Sequence, residues 1–245
     1  MSGAMSLDFE ELDYRETPLG AISLRRRADP RLGGETVYEI KLGEEFLMSS
    51  RFTAGEIQLA RLGLAALEGD DLDIVVGGLG LGYTAAAVLE HASVRSLVVI
   101  ELLEPVIDWH RRGLGPLGRE VVSDPRCTIV QDDFFGLAAS TGGGFDREDP
   151  ARPAHAVLLD VDHSPSHWLA PENGGFYSAA GLESLAEKIH PGGVFGLWSN
   201  DPPDAQFTRL LEAVFRSSEE HVVTFPNPFT GGESTCTIYL AGKRR

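Results

Sequence analysis

The sequence predicts a doubly wound α/β fold: a mostly parallel seven-stranded sheet with a C-terminal antiparallel hairpin, preceded by a small N-terminal β ribbon. Three observations predict it. From residue 71 to residue 216, short apolar, β-branched runs alternate with helical patterns, the signature of parallel strands joined by crossover helices. A glycine-rich turn, Gly77-Gly-Leu-Gly-Leu-Gly82, joins the first of these runs to the first helix. The last two runs are joined by Pro226-Asn-Pro-Phe-Thr-Gly-Gly232, too short for a crossover helix, so they pair antiparallel.

The elements follow in order. Residues 1–50 read as the ribbon unit, because Leu19 to Arg27 and Thr36 to Leu42 alternate around the turn-forming Asp29-Pro-Arg-Leu-Gly-Gly34. Residues 51–245 read as the main α/β unit. Its first helix spans Thr53 to Leu67, with Ile57, Leu59, Leu62, Leu64 and Leu67 at helical spacing before Gly69-Asp-Asp71 stops it. Strands are predicted at 73–78, 96–101, 127–131, 155–160, 193–199, 220–225 and 234–241. Helices are predicted near 82–91, 104–113, 177–189 and 203–216, with Pro105 suited to a first helical turn. Ser140 to Pro153, with three consecutive glycines and several charges, reads as a mobile loop.

Composition removes several functions. At 245 residues and 42% hydrophobic, the chain can bury one full core. A formal net charge of −16 denies it the basic face that phosphate neutralisation requires, so nucleic acid is not an expected partner, whereas a cationic substrate is compatible. No apolar run reaches the roughly 18 residues that span a bilayer, and the N-terminus lacks the apolar core of a signal peptide. The expectation is a cytoplasmic protein with no membrane partner. Cys127 and Cys236 sit far apart in apolar runs and read as buried thiols, with no metal site. The edges of the ribbon could pair between subunits, which makes a homodimer an expectation.

Asp73-Ile-Val-Val76 ends in glycines at 78, 80 and 82, which let the backbone turn sharply and approach a ligand without Cβ clashes. Glu101 closes the next strand, about twenty residues past the last glycine, where a doubly wound sheet places its acceptor for ribose hydroxyls. Together these predict a nucleoside site. Asp160 ends the fourth strand, with Asp162 and His163 just beyond it in Leu159-Asp-Val-Asp-His-Ser-Pro165, at the carboxyl edge where open α/β sheets bind ligands. An aspartate there suits a substrate ammonium and its proton, and His163 is an alternative base near neutral pH. Trp168 and Tyr177 bracket a Pro/Gly/Asn-rich loop that can cover such a site. Trp109 and Trp198 read as core, and Arg51 reads as a surface residue with a carboxylate contact as the alternative.

Four segments resemble the spermidine synthase (polyamine aminopropyltransferase) branch of the class I S-adenosylmethionine-dependent transferase fold. They are Val75-Val-Gly-Gly-Leu-Gly-Leu-Gly82, Val98-Val-Ile-Glu101, Gln131-Asp-Asp-Phe134, and Phe176-Tyr177 with the later His190-Pro-Gly-Gly193. The resemblance implies transfer of an aminopropyl group from decarboxylated S-adenosylmethionine to a polyamine. It implies Glu101 on the ribose, Asp132 on the adenine with Asp133 beside it, and Asp160 as the first acid of an Asp-x-x-Asp element. The second acid of that element falls on His163, an aspartate of the glycine loop falls on Gly80, and a Tyr-His-Glu element survives at most as Ala54-Gly-Glu56, which leaves Glu56 as a candidate substrate contact. Methyl transfer from intact S-adenosylmethionine to a small molecule therefore stays open, as does a non-catalytic nucleoside-binding protein. An NAD-dependent dehydrogenase shares the glycine loop and Glu101, but the terminal hairpin leaves no second mononucleotide-binding unit.

Overall fold

The structure is a computed structural model that describes residues 9–29, 33–141, 144–145, 149 and 151–243. At the N-terminus, β1 (Phe9–Thr17), β2 (Gly20–Asp29), β3 (Glu35–Leu42) and β4 (Glu45–Ser49) form one antiparallel sheet in that order. The expected ribbon is its inner pair, β2 and β3. The two outer strands are too charged or too short to show an apolar alternation, as in β1, Phe-Glu-Glu-Leu-Asp-Tyr-Arg-Glu-Thr.

The larger sheet contains β5 (Leu72–Gly77), β6 (Val94–Glu101), β7 (Cys127–Gln131), β8 (Ala154–Leu159), β9 (Ile189–Ser199), β10 (Ser217–Asn227) and β11 (Gly232–Gly242). Its spatial order is β10-β11-β9-β8-β5-β6-β7. The five strands β7, β6, β5, β8 and β9 are parallel, and β11 runs antiparallel to both β9 and β10. The helices are α1 (Ala54–Ala65), α2 (Tyr83–Leu89), α3 (Glu104–Arg112), α4 (Glu120–Ser123), α5 (Phe134–Ala139), α6 (Ala179–Glu187) and α7 (Ala205–Val214). Each predicted strand and helix is present within a few residues of its expected ends; α4 and α5 are additional and too short to carry a period. Six of the fourteen residues from Ser140 to Pro153, the segment expected to be mobile, lie outside the described residues.

Strand alternation divides the core. Ile74, Val76, Leu97, Val99, Ala156 and Leu158 face one side of the sheet, where α1, α2 and α3 pack, and Val75, Val98, Ile100, Val157, Leu159 and Phe195 face the other. Full burial of each such side chain contributes about 1.5–3 kcal/mol. Ile22, Leu24 and Ile40 of the N-terminal sheet join the first cluster, so that sheet leans on the α1 side of the large one. Arg15 of β1 fastens it to α3 by ion pairs with Asp108 and with Glu104 (3.0 Å), and the core residue Trp109 donates its indole N–H to Asp13 Oδ2 at 2.7 Å. Cys127 and Cys236 are free thiols, pushed up by burial to about 12 and about 11. Among the described residues no cluster of His, Cys, Asp and Glu has metal-binding geometry, and no helix is long and apolar enough to cross a membrane.

Candidate active site

A cavity of about 310 Å³ opens at the carboxyl ends of β5, β6 and β8, and Leu19, Ile40, Leu47 and Met48 of the N-terminal sheet roof it. The glycine turn forms one wall. Gly78 has φ +93°, and a Cβ there would lie 2.2 Å from the Asp160 carbonyl oxygen; only glycine lets β5 turn this close to the end of β8. Gly80, at φ +49°, lies under Met48, whose Sδ would sit 2.6 Å from a Cβ at that position and accepts the Leu81 N–H at 3.0 Å. Gly82 starts α2 on the far side of the turn, against His110, and is not part of the cavity wall. The buried His110 meets the Gly80 carbonyl oxygen through Nε2 at 2.9 Å, and burial holds its pKa below the ordinary value.

Glu101 is 8% exposed and lines the cavity. Its Oε2 accepts the Leu79 N–H at 3.0 Å and its Oε1 the Leu103 N–H at 2.8 Å, so the carboxylate ties the glycine turn to the end of β6. Burial raises its pKa and these amides offset part of the rise. Asp133 also lines the cavity, and caps α5 by accepting the N–H groups of Phe135 and Gly136 at 3.0 Å each. The neighbouring Asp132 does not reach the wall; its Oδ1 accepts the Asp133 N–H at 2.9 Å. Phe134 and Phe135, in the first turn of α5, line the cavity beside Asp133, whereas Asp132, expected at the adenine, is not among its lining residues.

Across the cavity, Asp160 accepts the Thr84 hydroxyl at 2.9 Å through Oδ2. Its exposure is to the cavity, so burial from solvent pushes its pKa up to about 6, with the Thr84 bond pulling the other way. Glu56, in the first turn of α1, is only 7% exposed and lines the same cavity. Burial first and the negative charge of Asp160 second raise it to about 8. Glu56, in sequence more readily a solvated helix acid, is thus one of two interacting carboxyls in the cavity. His163 lines the cavity too, with Nε2 2.8 Å from Glu45 Oε1 of β4.

Three expected site residues point elsewhere. Asp162 is 1% exposed and accepts the Leu169 N–H (2.8 Å), the Asn173 side-chain amide (2.8 Å) and the Tyr177 hydroxyl (2.9 Å). Trp168 stacks on Tyr177 at 6.2 Å between centroids and donates to the Pro165 carbonyl oxygen at 2.8 Å. These residues do not line the cavity; they hold the loop from 162 to 177, which presents Leu169, Ala170, Glu172 and Asn173 to it. Strand alternation would keep Asp162 on the face of Asp160, but β8 ends at Leu159 and the backbone has turned into the loop before residue 162. Met48, Thr84 and Trp198 reach the cavity without a motif to announce them, and Trp198, expected in the core, is half-buried and faces it. Arg51 pairs with Glu35 at 3.6 Å and stays outside.

The strand order and the site at the carboxyl edge define a class I S-adenosylmethionine-dependent transferase fold. No protein-family profile matches the chain. Over 165 residues, 63% of the chain, it is 28% identical to polyamine aminopropyltransferase 2 of Pseudomonas aeruginosa, and over 131 residues 30% identical to the polyamine aminopropyltransferase of Aeropyrum pernix. These matches span 43% and 38% of those proteins, less than half of their length. In structure, 95% of the chain superposes on a spermidine synthase crystallised with the transition-state analogue AdoDATO (TM-score 0.73, 17% identity, 73% of that chain). It also superposes on the spermidine synthase of Thermotoga maritima (TM-score 0.71, 16% identity, 72% of that chain). The chain is thus similar in sequence, at low identity and over part of their length, to polyamine aminopropyltransferases, and it has the spermidine synthase fold.

Proposed function

We propose that this chain transfers an aminopropyl group from decarboxylated S-adenosylmethionine to a cationic amine, with a polyamine as the class implied by its relatives. The observation that carries the reading is the charge of the cavity. Its described lining includes Glu56, Glu101, Asp133, Asp160 and Glu172 and no lysine or arginine. The carboxylate tail of intact S-adenosylmethionine would meet five acids and neither lysine nor arginine there, whereas a sulfonium carrying a bare ammonium tail suits it. The glycine turn at Gly78 and Gly80, with Glu101 toward the ribose and Asp133 toward the adenine, forms the nucleoside half of the site. Gly82, Asp132, Asp162, Tyr177 and Trp168 support it from outside the wall.

A sulfonium already holds its leaving group, so the protein's work is positioning, desolvation and removal of a proton. The acceptor binds as an ammonium against Asp160 and Glu56 and gives up a proton to the carboxyl pair. The freed nitrogen lone pair forms a bond to the propyl carbon next to sulfur, and the carbon–sulfur bond breaks with its electrons staying on sulfur. The products are an N-aminopropyl amine and the neutral thioether methylthioadenosine. Asp160 accepts the Thr84 hydroxyl, which favours its charged form, and so carries the charge that meets the ammonium.

Calorimetry with decarboxylated and intact S-adenosylmethionine, followed by mass spectrometry of the products with amine acceptors, tests this. Preference for the decarboxylated donor and appearance of methylthioadenosine are expected. Tighter binding of the intact donor with methyl transfer would replace the reading with the methyltransferase one, and binding without turnover would leave a nucleoside-binding protein.

A further inference from the structure

A second cavity, of about 640 Å³, adjoins the first. Leu47, Met48, Glu56, His163 and Trp198 line both, so the second opens from the wall that carries Glu56. It runs between β4, the start of α1 and the β10–β11 hairpin. Its inner end holds Glu56, which is the one carboxylate of the described lining. Its outer end holds Phe46, Phe52 and Phe225, and the Phe52 and Phe225 rings lie 5.7 Å apart. The polar groups at that end satisfy themselves: Asn227 donates to Ser234 Oγ at 2.8 Å and accepts the Phe229 N–H at 3.0 Å. Glu45, whose carboxylate meets His163 Nε2 at 2.8 Å, is not part of the lining.

We infer that this cavity is the acceptor site and that it takes a primary monoamine with an apolar or aromatic body, in preference to an α,ω-diamine. The inference rests on the aminopropyl-transfer reading and replaces the polyamine class of the relatives with a monoamine as this chain's acceptor. One ammonium is matched at Glu56, next to Asp160. A second ammonium at the far end, where Phe46 and Thr235 are exposed, meets aromatic rings and no carboxylate, so it gains no ion pair there and covers the rings less well than an apolar group does. An apolar body instead buries its surface against Phe46, Phe52, Phe225 and Trp198, and the nitrogen stays at the shared wall to attack the donor carbon as described above.

The test uses the full chain, decarboxylated S-adenosylmethionine, and phenethylamine against putrescine, with methylthioadenosine and the aminopropylated amine measured by mass spectrometry. A kcat/KM for phenethylamine about tenfold or more above that for putrescine is expected. Thr235→Asp places a carboxylate at the outer end, on an exposed lining position, and should shift the ratio toward putrescine by about tenfold. Phe225→Ala should lower kcat/KM for phenethylamine and leave donor affinity unchanged. Equal or better use of putrescine by the unaltered chain overturns the inference, as does a ratio that Thr235→Asp fails to move. If neither amine yields methylthioadenosine, the transferase reading fails by itself, and the cavity is then judged by calorimetric titration of both amines onto the chain saturated with methylthioadenosine. Tighter binding of phenethylamine, lost in Phe225→Ala, supports the acceptor class; tighter binding of putrescine or no binding of phenethylamine refutes it.

Discussion

Glu56 and Asp160 line one cavity with pKa values pushed up to about 8 and about 6: burial raises both, the negative charge of Asp160 adds to the rise at Glu56, and the Thr84 hydroxyl pulls Asp160 back down. Asp160→Asn should lower turnover by about 10²- to 10⁴-fold while donor affinity changes little, and by removing a negative neighbour it should bring the Glu56 pKa down. Rate–pH profiles and donor titrations of the variant check both halves, and unchanged turnover would remove Asp160 from the mechanism. The same pair makes a stability prediction. Glu56 binds its proton more tightly folded than unfolded, so its contribution is complete below about 4.5 and is lost as pH rises through about 8. Thermal unfolding should therefore show the unaltered chain losing more Tm between pH 6 and pH 9 than Glu56→Gln, each kcal/mol corresponding to about 2–4 °C for a chain of this size. At Gly78 the constraint is steric: Gly78→Ala places a Cβ 2.2 Å from the Asp160 carbonyl oxygen, and loss of donor binding together with a fall in Tm is the expected result.

At the scale of elements, the loop from 162 to 177 is organised from one buried carboxylate. Asp162→Ala would leave the Leu169 N–H, the Asn173 amide and the Tyr177 hydroxyl without their acceptor, at a cost of about 1–3 kcal/mol per unsatisfied buried group. A fall in Tm with a raised KM and a kcat that changes less is the expected pattern, since the loop presents Glu172 and Asn173 to the cavity. A collapse of kcat with normal stability would instead make Asp162 a chemical participant. The elements themselves were legible where a period or a turn was unmistakable, as in β5, β7 and the 226–232 hairpin turn. They were illegible where charge hides alternation, as in β1, or where a helix is as short as α5. The short α5 also carries Asp133 as its cap and Phe134 and Phe135 in its first turn, all three lining the cavity.

At the scale of the whole molecule, the N-terminal sheet acts as a roof, fastened to α3 through Arg15 and to the site through Met48 and Glu45. Arg15 is partly exposed, so its ion pairs contribute about 0–1 kcal/mol each. Arg15→Ala should accordingly change Tm little yet speed hydrogen exchange in β1 and β2; protection equal to that of the unaltered chain would place the roof's anchorage in the Ile22, Leu24 and Ile40 packing alone. The net charge of −16 acts over the same scale. Raising ionic strength from about 0.01 to 0.15 M shortens the screening length from about 30 to 8 Å and should raise KM for a cationic acceptor.

The sequence by itself determined the parallel sheet, its terminal hairpin, the glycine turn and the acids at Glu101 and Asp160. Each of these is a local pattern: a period, a turn composition or a residue at a strand end. Only the tertiary structure decided that Glu56 is buried near Asp160, that Asp162 faces away, that Met48 covers Gly80, and that Trp198 lines two cavities. Those facts depend on which surfaces meet across α1, β4, β8 and β9, elements separated by up to about 150 residues in the chain, and no local pattern records the meeting of distant faces.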